Sequence, residues 1–199
     1  LDHLSSLPFM VDTVGDMRNR PVIVHATEAT LEIIRAHIFN WAIWPDFSEI
    51  PTPEKPFMRF SPIRVGEAID LDGRKVVPLP ANHTVPAVGY QLDSGNASLV
   101  FTGDTGPCPE LWQQVNQMRN LRYLIIECAF SNSEKRLAVA SLHLCPSMLL
   151  DELTNLQRDT EVFITHLKPG QIELTMQEIE DCIGEFRPGM LQNNQLFEF

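Results

Sequence analysis

A chain of 199 residues with 44% hydrophobic content can bury a full core and is one domain's worth of sequence. Its formal charge of -11 works against a broad grip on long nucleic acid, an affinity built from Lys and Arg neutralising phosphates. Small anions stay eligible, because a bound cation reverses the field locally; no apolar run of about 18 residues exists, so no membrane span is expected.

The chain opens Leu1-Asp2-His3, and Leu4 to Phe9 reads as a loop entering a helix. Pro21 to His25 is a short β-branched run and hence a strand. Thr27 to Phe39 follows as a helix, with Thr27 as its N-cap and Leu31, Ile34 and Ile38 on one face. From Trp44 to Pro62, Pro45, Pro51, Pro53, Pro56 and Pro62 exclude a regular helix. With Trp41, Trp44, Phe47, Phe57 and Phe60, this stretch reads as an ordered aromatic loop beside a pocket. The three tryptophans, Trp112 included, suit either packing or stacking on a nucleobase.

Ile69 to Leu79 carries an Asp72-Gly73 turn between apolar runs, the signal of a hairpin. Thr84 to Leu92 leads through Asp93-Ser94-Gly95-Asn96 into the strand Ser98 to Thr102. The rest alternates: helix Pro109 to Met118, strand Tyr123 to Ile126, helix Pro146 to Leu156, strand Glu161 to Thr165, helix Glu173 to Phe186. Sheets with helices outside are the implied α/β layers, in one domain over 1–199.

Cys108, Cys128, Cys145 and Cys182 show no C-x-x-C pair, so neither disulfide nor structural-zinc spacing is present. They read as buried thiols of a reducing compartment. Cytoplasm is the default location, with the periplasm left open because a chain beginning at Leu1 shows no true N-terminus.

Three residues stand where the chain leaves an apolar run. Asp104 follows Leu99-Val100-Phe101 and lies between Gly103 and Gly106; His166 follows Val162-Phe163-Ile164; His83 follows Val76-Val77 and the turn formers Pro80 and Asn82. Imidazole and carboxylate from three strand ends are ligands that suit zinc, manganese or iron. His25, at a strand end, and His37, in a helix, read as packing or surface residues.

Taken with Asp2-His3, these residues resemble the metallo-β-lactamase superfamily, whose signature H-x-H-x-D-H is followed by a single His, a single Asp and a last His. His3, His83, Asp104 and His166 occur in that order, 80, 21 and 62 residues apart, and only the x-D-H of the first motif is present. Two histidines are therefore expected upstream of Leu1. The resemblance implies an αβ/βα sandwich, truncated at its N-terminus, and two divalent ions, zinc first with manganese or iron as options. One ion would be held by His83 and the upstream histidines, the other by Asp2, His3 and His166, with Asp104 bridging.

The segments His37-Ile38-Phe39-Asn40, Ile43-Trp44-Pro45-Asp46-Phe47, His83 to Tyr90 and Phe101 to Pro107 resemble the class II 3′,5′-cyclic-nucleotide phosphodiesterases more closely. What that implies is hydrolysis of cyclic AMP or cyclic GMP to the 5′-nucleotide by two-metal hydroxide attack, with Asp2 and Asp104 in the catalytic set. A small cyclic nucleotide is then the partner, with homodimerisation as the family habit. His143, outside the ligand order, is the candidate general acid, and Glu127, in a segment resembling the family's E-A-T-F, would orient a neighbour. The transfer-RNA 3′-processing nucleases are the rival; they carry a long arm between the third-motif His and the G-D-T Asp, where this chain has 21 residues. Another hydrolase of this fold, such as a thiol-ester hydrolase or β-lactamase, and a metal-free remnant that binds without turnover are the remaining alternatives.

Overall fold

The computed structural model describes residues 3–182 and 186–199. Two compact units make up the chain, Leu1–Arg64 and Val65–Phe199.

In the first unit, helix α1 (Ser6–Val14) precedes strand β1 (Val22–Thr27) and helix α2 (Glu28–His37). Thr27 caps α2 as its sequence suggests: the side-chain oxygen accepts from the Thr30 amide at 3.4 Å, and Leu31 and Ile34 face inward, fully buried. The Pro-rich stretch differs from the expected loop. It holds the short strands β2 (Pro51–Thr52) and β3 (Lys55–Pro56), then β4 (Met58–Ile63), which pairs parallel with β1 from Val22 opposite Met58 to Thr27 opposite Ile63. Pro62 is tolerated because a two-stranded pair leaves one side of β4 without a ladder. The aromatic residues there form a core more than they line a pocket: Phe39 and Phe47 are buried against each other with ring centroids 5.6 Å apart, and Phe57 lies 6.3 Å from Phe47.

The second unit is built on a seven-stranded mixed sheet. Its strands are β5 (Ile69–Leu71), β6 (Arg74–Pro80), β7 (Val88–Asp93), β8 (Ser98–Phe101), β9 (Leu121–Glu127), β10 (Glu161–Thr165) and β11 (Gly189–Met190). They lie side by side in the order β11-β10-β9-β8-β7-β6-β5. The Asp72-Gly73 hairpin forms as read, with both central residues at positive φ, 54° and 86°. Helices α3 (Pro109–Val115), α4 (Lys135–Ser141), α5 (Pro146–Leu153) and α6 (Ile172–Cys182) join the strands. The expected last helix ran to Phe186; residues 183–185 lie outside the described part, and Phe186 is in a turn.

Leu79, Val100, Leu124, Ile126, Val162 and Ile164 pack with Leu111 and Trp112 of α3, Leu149 and Leu153 of α5 and Ile179 of α6. A second cluster joins Leu99, Tyr123 and Ile125 to Phe101, Phe163, Phe197 and Phe199. Apolar side chains pointing both ways explain why the β8 and β9 sequences read as continuous apolar runs rather than alternating ones. Each fully buried Leu or Ile here stabilises by about 1.5–3 kcal/mol. Trp112 is one of these core residues and offers no stacking face to a base. Among the cysteines, Cys108, Cys128 and Cys145 are buried free thiols as expected, whereas Cys182 is exposed. No helix among the described residues is long and apolar enough to cross a membrane.

Sheet direction sets the site. β8, β9 and β10 are parallel, and β6, two antiparallel steps from β8, runs the same way. The C-terminal ends of β6, β8, β9 and β10 therefore share one edge of the sheet, and His83, Asp104, Glu127 and His166 lie at or just past those ends.

Candidate metal-binding and catalytic site

The loops after β6 and β8 are laced together before any ligand is considered. Asn82 N–H donates to the Thr105 hydroxyl at 2.9 Å, Gly106 N–H donates to the Asn82 carbonyl at 2.8 Å, and the Asn82 side-chain amide donates to the Pro107 carbonyl at 2.9 Å. Gly103 sits at φ 62°, and a Cβ there would stand 3.2 Å from the Val88 carbonyl oxygen. Glycine thus lets the chain turn between Phe101 and Asp104.

His83 Nδ1 lies 3.2 Å from the Leu142 carbonyl oxygen. A carbonyl only accepts, so Nδ1 is the donor in this contact and Nε2 is the nitrogen left for a metal, the arrangement of a metal-ligating histidine held by an outer partner. Leu142 adopts the left-handed conformation, φ 54°, at the end of α4. Neither that helix nor the carbonyl was legible in the sequence.

Glu127 is the organising residue, with 0% exposure. One carboxylate oxygen accepts from Thr105 N–H at 2.9 Å and from His143 Nδ1 at 2.6 Å; the other accepts from Ala129 N–H at 3.2 Å and Leu144 N–H at 3.1 Å. Donors on both oxygens satisfy the hydrogen-bonding capacity of this buried carboxylate. Its hydrogen bond raises the His143 pKa above the ordinary histidine range, outweighing burial. His166 goes the other way: burial lowers it, with the Asp104 charge opposing.

Asp104 stands between the histidines. Its Oδ1 is 3.1 Å from His166 Nδ1, and His83, Asp104 and His143 offer ligand-capable atoms that all lie within 4.8 Å of one another. The His143 ring stacks on His166 with centroids 5.1 Å apart and meets the His83 ring edge-on at 4.8 Å. His166 is itself at φ 62°, an uncommon backbone state for a residue with a Cβ.

Of the residues expected from sequence, His83, Asp104, His143 and His166 therefore come together, with Glu127 supporting them. His3 belongs to the first unit, exposed in the turn ahead of α1, and Asp2 lies outside the described residues. Sequence reasoning passed over Thr105, buried at 2% exposure, although it stands within the quoted Gly103 to Gly106 motif. His25 and His37 lie elsewhere, in β1 and on the exposed surface of α2.

The family model of the β-lactamase superfamily domain matches residues 1–172. The chain belongs to that superfamily. Its members include relatives named for two activities. A probable 3′,5′-cyclic-nucleotide phosphodiesterase of Yersinia pestis is 24% identical over 194 residues, covering 85% of this chain and 55% of that protein. A putative ribonuclease Z of Mycobacterium tuberculosis is 32% identical over 95 residues, covering 47% of this chain and 41% of that protein. Among solved structures, unliganded yeast PDE1 superposes with a TM-score of 0.79 at 20% identity, over 96% of this chain and 64% of the yeast chain. The metallo-β-lactamase fold protein YhfI of Bacillus subtilis does so with a TM-score of 0.74 at 13% identity, over 99% and 73%. The fold is that of the metallo-β-lactamases, and the chain spans little more than half the length of the Yersinia relative.

Proposed function

We propose that residues 1–199 form one hydrolase domain of a metal-dependent phosphodiesterase that converts 3′,5′-cyclic nucleotides to 5′-nucleotides. The observation that carries this reading is the 2.6 Å contact between His143 Nδ1 and the buried Glu127 carboxylate, set against Asp104 and two more histidines. Expelling a ribose 3′-alkoxide requires a proton. Glu127 holds Nδ1 and favours the charged ring, leaving His143 Nε2–H as the donor to the leaving oxygen. The cyclic-nucleotide choice is supported by the relatives so named, which match 85% and 84% of this chain, against 47% for ribonuclease Z. The ribonuclease reading keeps one specific support, the higher identity of that shorter match.

The donor set fits divalent cations: His83 with Nδ1 engaged and Nε2 left to ligate, an Asp104 carboxylate within reach of both His83 and His166, and one face of the group backed by Glu127. Two ions, zinc first with manganese or iron as options, would be held by His83 and Asp104 and by Asp104 and His166. The motif order adds Asp2 and His3 to the second. Bound there, such ions activate water and neutralise charge on the phosphoryl oxygens. Asp104 keeps the histidines oriented; His143 moves the proton. The ligand is a small cyclic nucleotide, with a homodimer in the cytoplasm as the expected setting.

The test is chromatography of products from the full-length protein. Cyclic AMP or cyclic GMP should yield the 5′-nucleotide, and a chelator should stop the reaction. Cleavage of a transfer-RNA precursor with cyclic nucleotides untouched would assign the ribonuclease reading instead.

A further inference from the structure

Resting on the phosphodiesterase reading above, we propose that Lys168 is a positioning residue that grips the non-bridging oxygens of the substrate's phosphate. The loop after His166 is built to hold it. Lys168-Pro169-Gly170-Gln171 forms a turn in which Gln171 N–H donates to the Lys168 carbonyl at 3.2 Å, with Gly170 at φ 87°. Proline followed by a residue at positive φ is the signature of a type II turn, which fixes the direction in which the Lys168 stem leaves the backbone. The ammonium then lies 5.5 Å from the centre of the Phe130 ring, and Phe130 meets the His143 ring edge-on at 5.7 Å. A cation resting on an aromatic face loses some conformational freedom.

Charge bookkeeping gives this lysine its significance. Among the described residues, no acidic side chain pairs with Lys168, in a chain with 26 acidic and only 15 basic residues. The acids nearest the site are committed elsewhere, Glu127 to His143 and three amides, Asp104 to His166. A positive charge over the ring that itself packs on the proposed proton donor suits a substrate anion that must sit beside that donor. It favours a phosphodiester monoanion over an uncharged ester.

The experiment uses the full-length protein loaded with zinc, with bis(p-nitrophenyl) phosphate as substrate and inorganic phosphate as a binding probe. Lys168→Ala should raise KM, and the Kd for phosphate, about tenfold, the worth of one charged hydrogen bond, while kcat changes little. The wild-type kcat/KM should fall with ionic strength more steeply than that of the variant. Lys168→Arg should restore KM and Kd, and metal content and Tm should match the wild type in both variants. Unchanged KM and phosphate Kd in Lys168→Ala overturn the proposal. So does a loss confined to kcat, or one accompanied by lost metal, because either makes Lys168 a prop for Phe130 and His166. Should the wild type turn over no phosphodiester, the phosphodiesterase reading fails, and the phosphate Kd still decides for or against Lys168.

Discussion

Two buried glutamates of the same sheet-and-helix unit do different things. Glu127, at the end of β9, clamps the loops that carry Thr105, Ala129 and Leu144 and holds the His143 ring. Glu152, on α5, accepts from the Cys108 amide at 3.1 Å and the Trp112 indole at 2.7 Å, tying α5 to the start of α3. Both carboxylates are nearly sealed from solvent, at 0% and 9% exposure. Burial alone therefore marks neither as functional; the partner decides. Glu127 faces a group that titrates near neutral pH, whereas Glu152 faces donors that never do.

The largest expected effect lies with Asp104, whose chain neighbour Thr105 donates to Glu127. Asp104→Ala should lower kcat/KM by more than about 10³-fold, since charge stabilisation at such sites is worth several kcal/mol and each 1.36 kcal/mol is a decade. Bound metal should fall with it. Retained turnover in a folded Asp104→Ala protein would reduce this aspartate to a turn former.

Next comes Glu127→Gln, which keeps the shape and removes the charge. Turnover should drop by about 10²-fold as His143 loses its anionic partner. The pH profile gives the sign. Glu127 raises the His143 pKa, so the acid form survives to higher pH in the wild type and is lost as pH climbs through that raised value. In the variant the fall in rate should begin at lower pH. An unmoved alkaline limb would detach Glu127 from the proton donor.

Glu152→Ala sharpens the contrast from the other side. It strands two buried donors at a cost of about 1–3 kcal/mol each, so Tm should fall while kcat per folded molecule holds. Loss of kcat without loss of Tm would erase the difference between the two glutamates.

The smallest effect is chemical. Burial pushes the thiols of Cys128, next to Glu127, and of Cys108, bonded to Glu152 through its amide, above their ordinary range. Alkylation of the native protein followed by peptide mapping should label the exposed Cys182 and spare both. Early labelling of Cys128 would mean that the Glu127 network opens readily.

Local signals made much of this edge legible. His83, Asp104 and His166 each follow an apolar run, and that placement survives folding because β6, β8 and β10 point the same way. Features set by distant partners were not legible. β4 exists through its pairing with β1, which overrides the proline density that reads as loop. Helix α4 buries only Ala138, so its sequence shows no apolar face, and with it the Leu142 carbonyl that orients His83 went unseen. Trp112 follows helix spacing like any other core residue, and only its buried bond to Glu152 separates packing from base stacking. Glu127 was visible as a motif letter; its four donors come from three separate segments.

Proton donation by His143 is the central claim, and leaving-group dependence tests it most directly. In His143→Ala, kcat on cyclic AMP should fall by about 10²–10⁴-fold with metal content and KM retained, while the loss on bis(p-nitrophenyl) phosphate, whose leaving group departs without a proton, should be much smaller. Equal losses on the two substrates, or loss of metal from the variant, would contradict it.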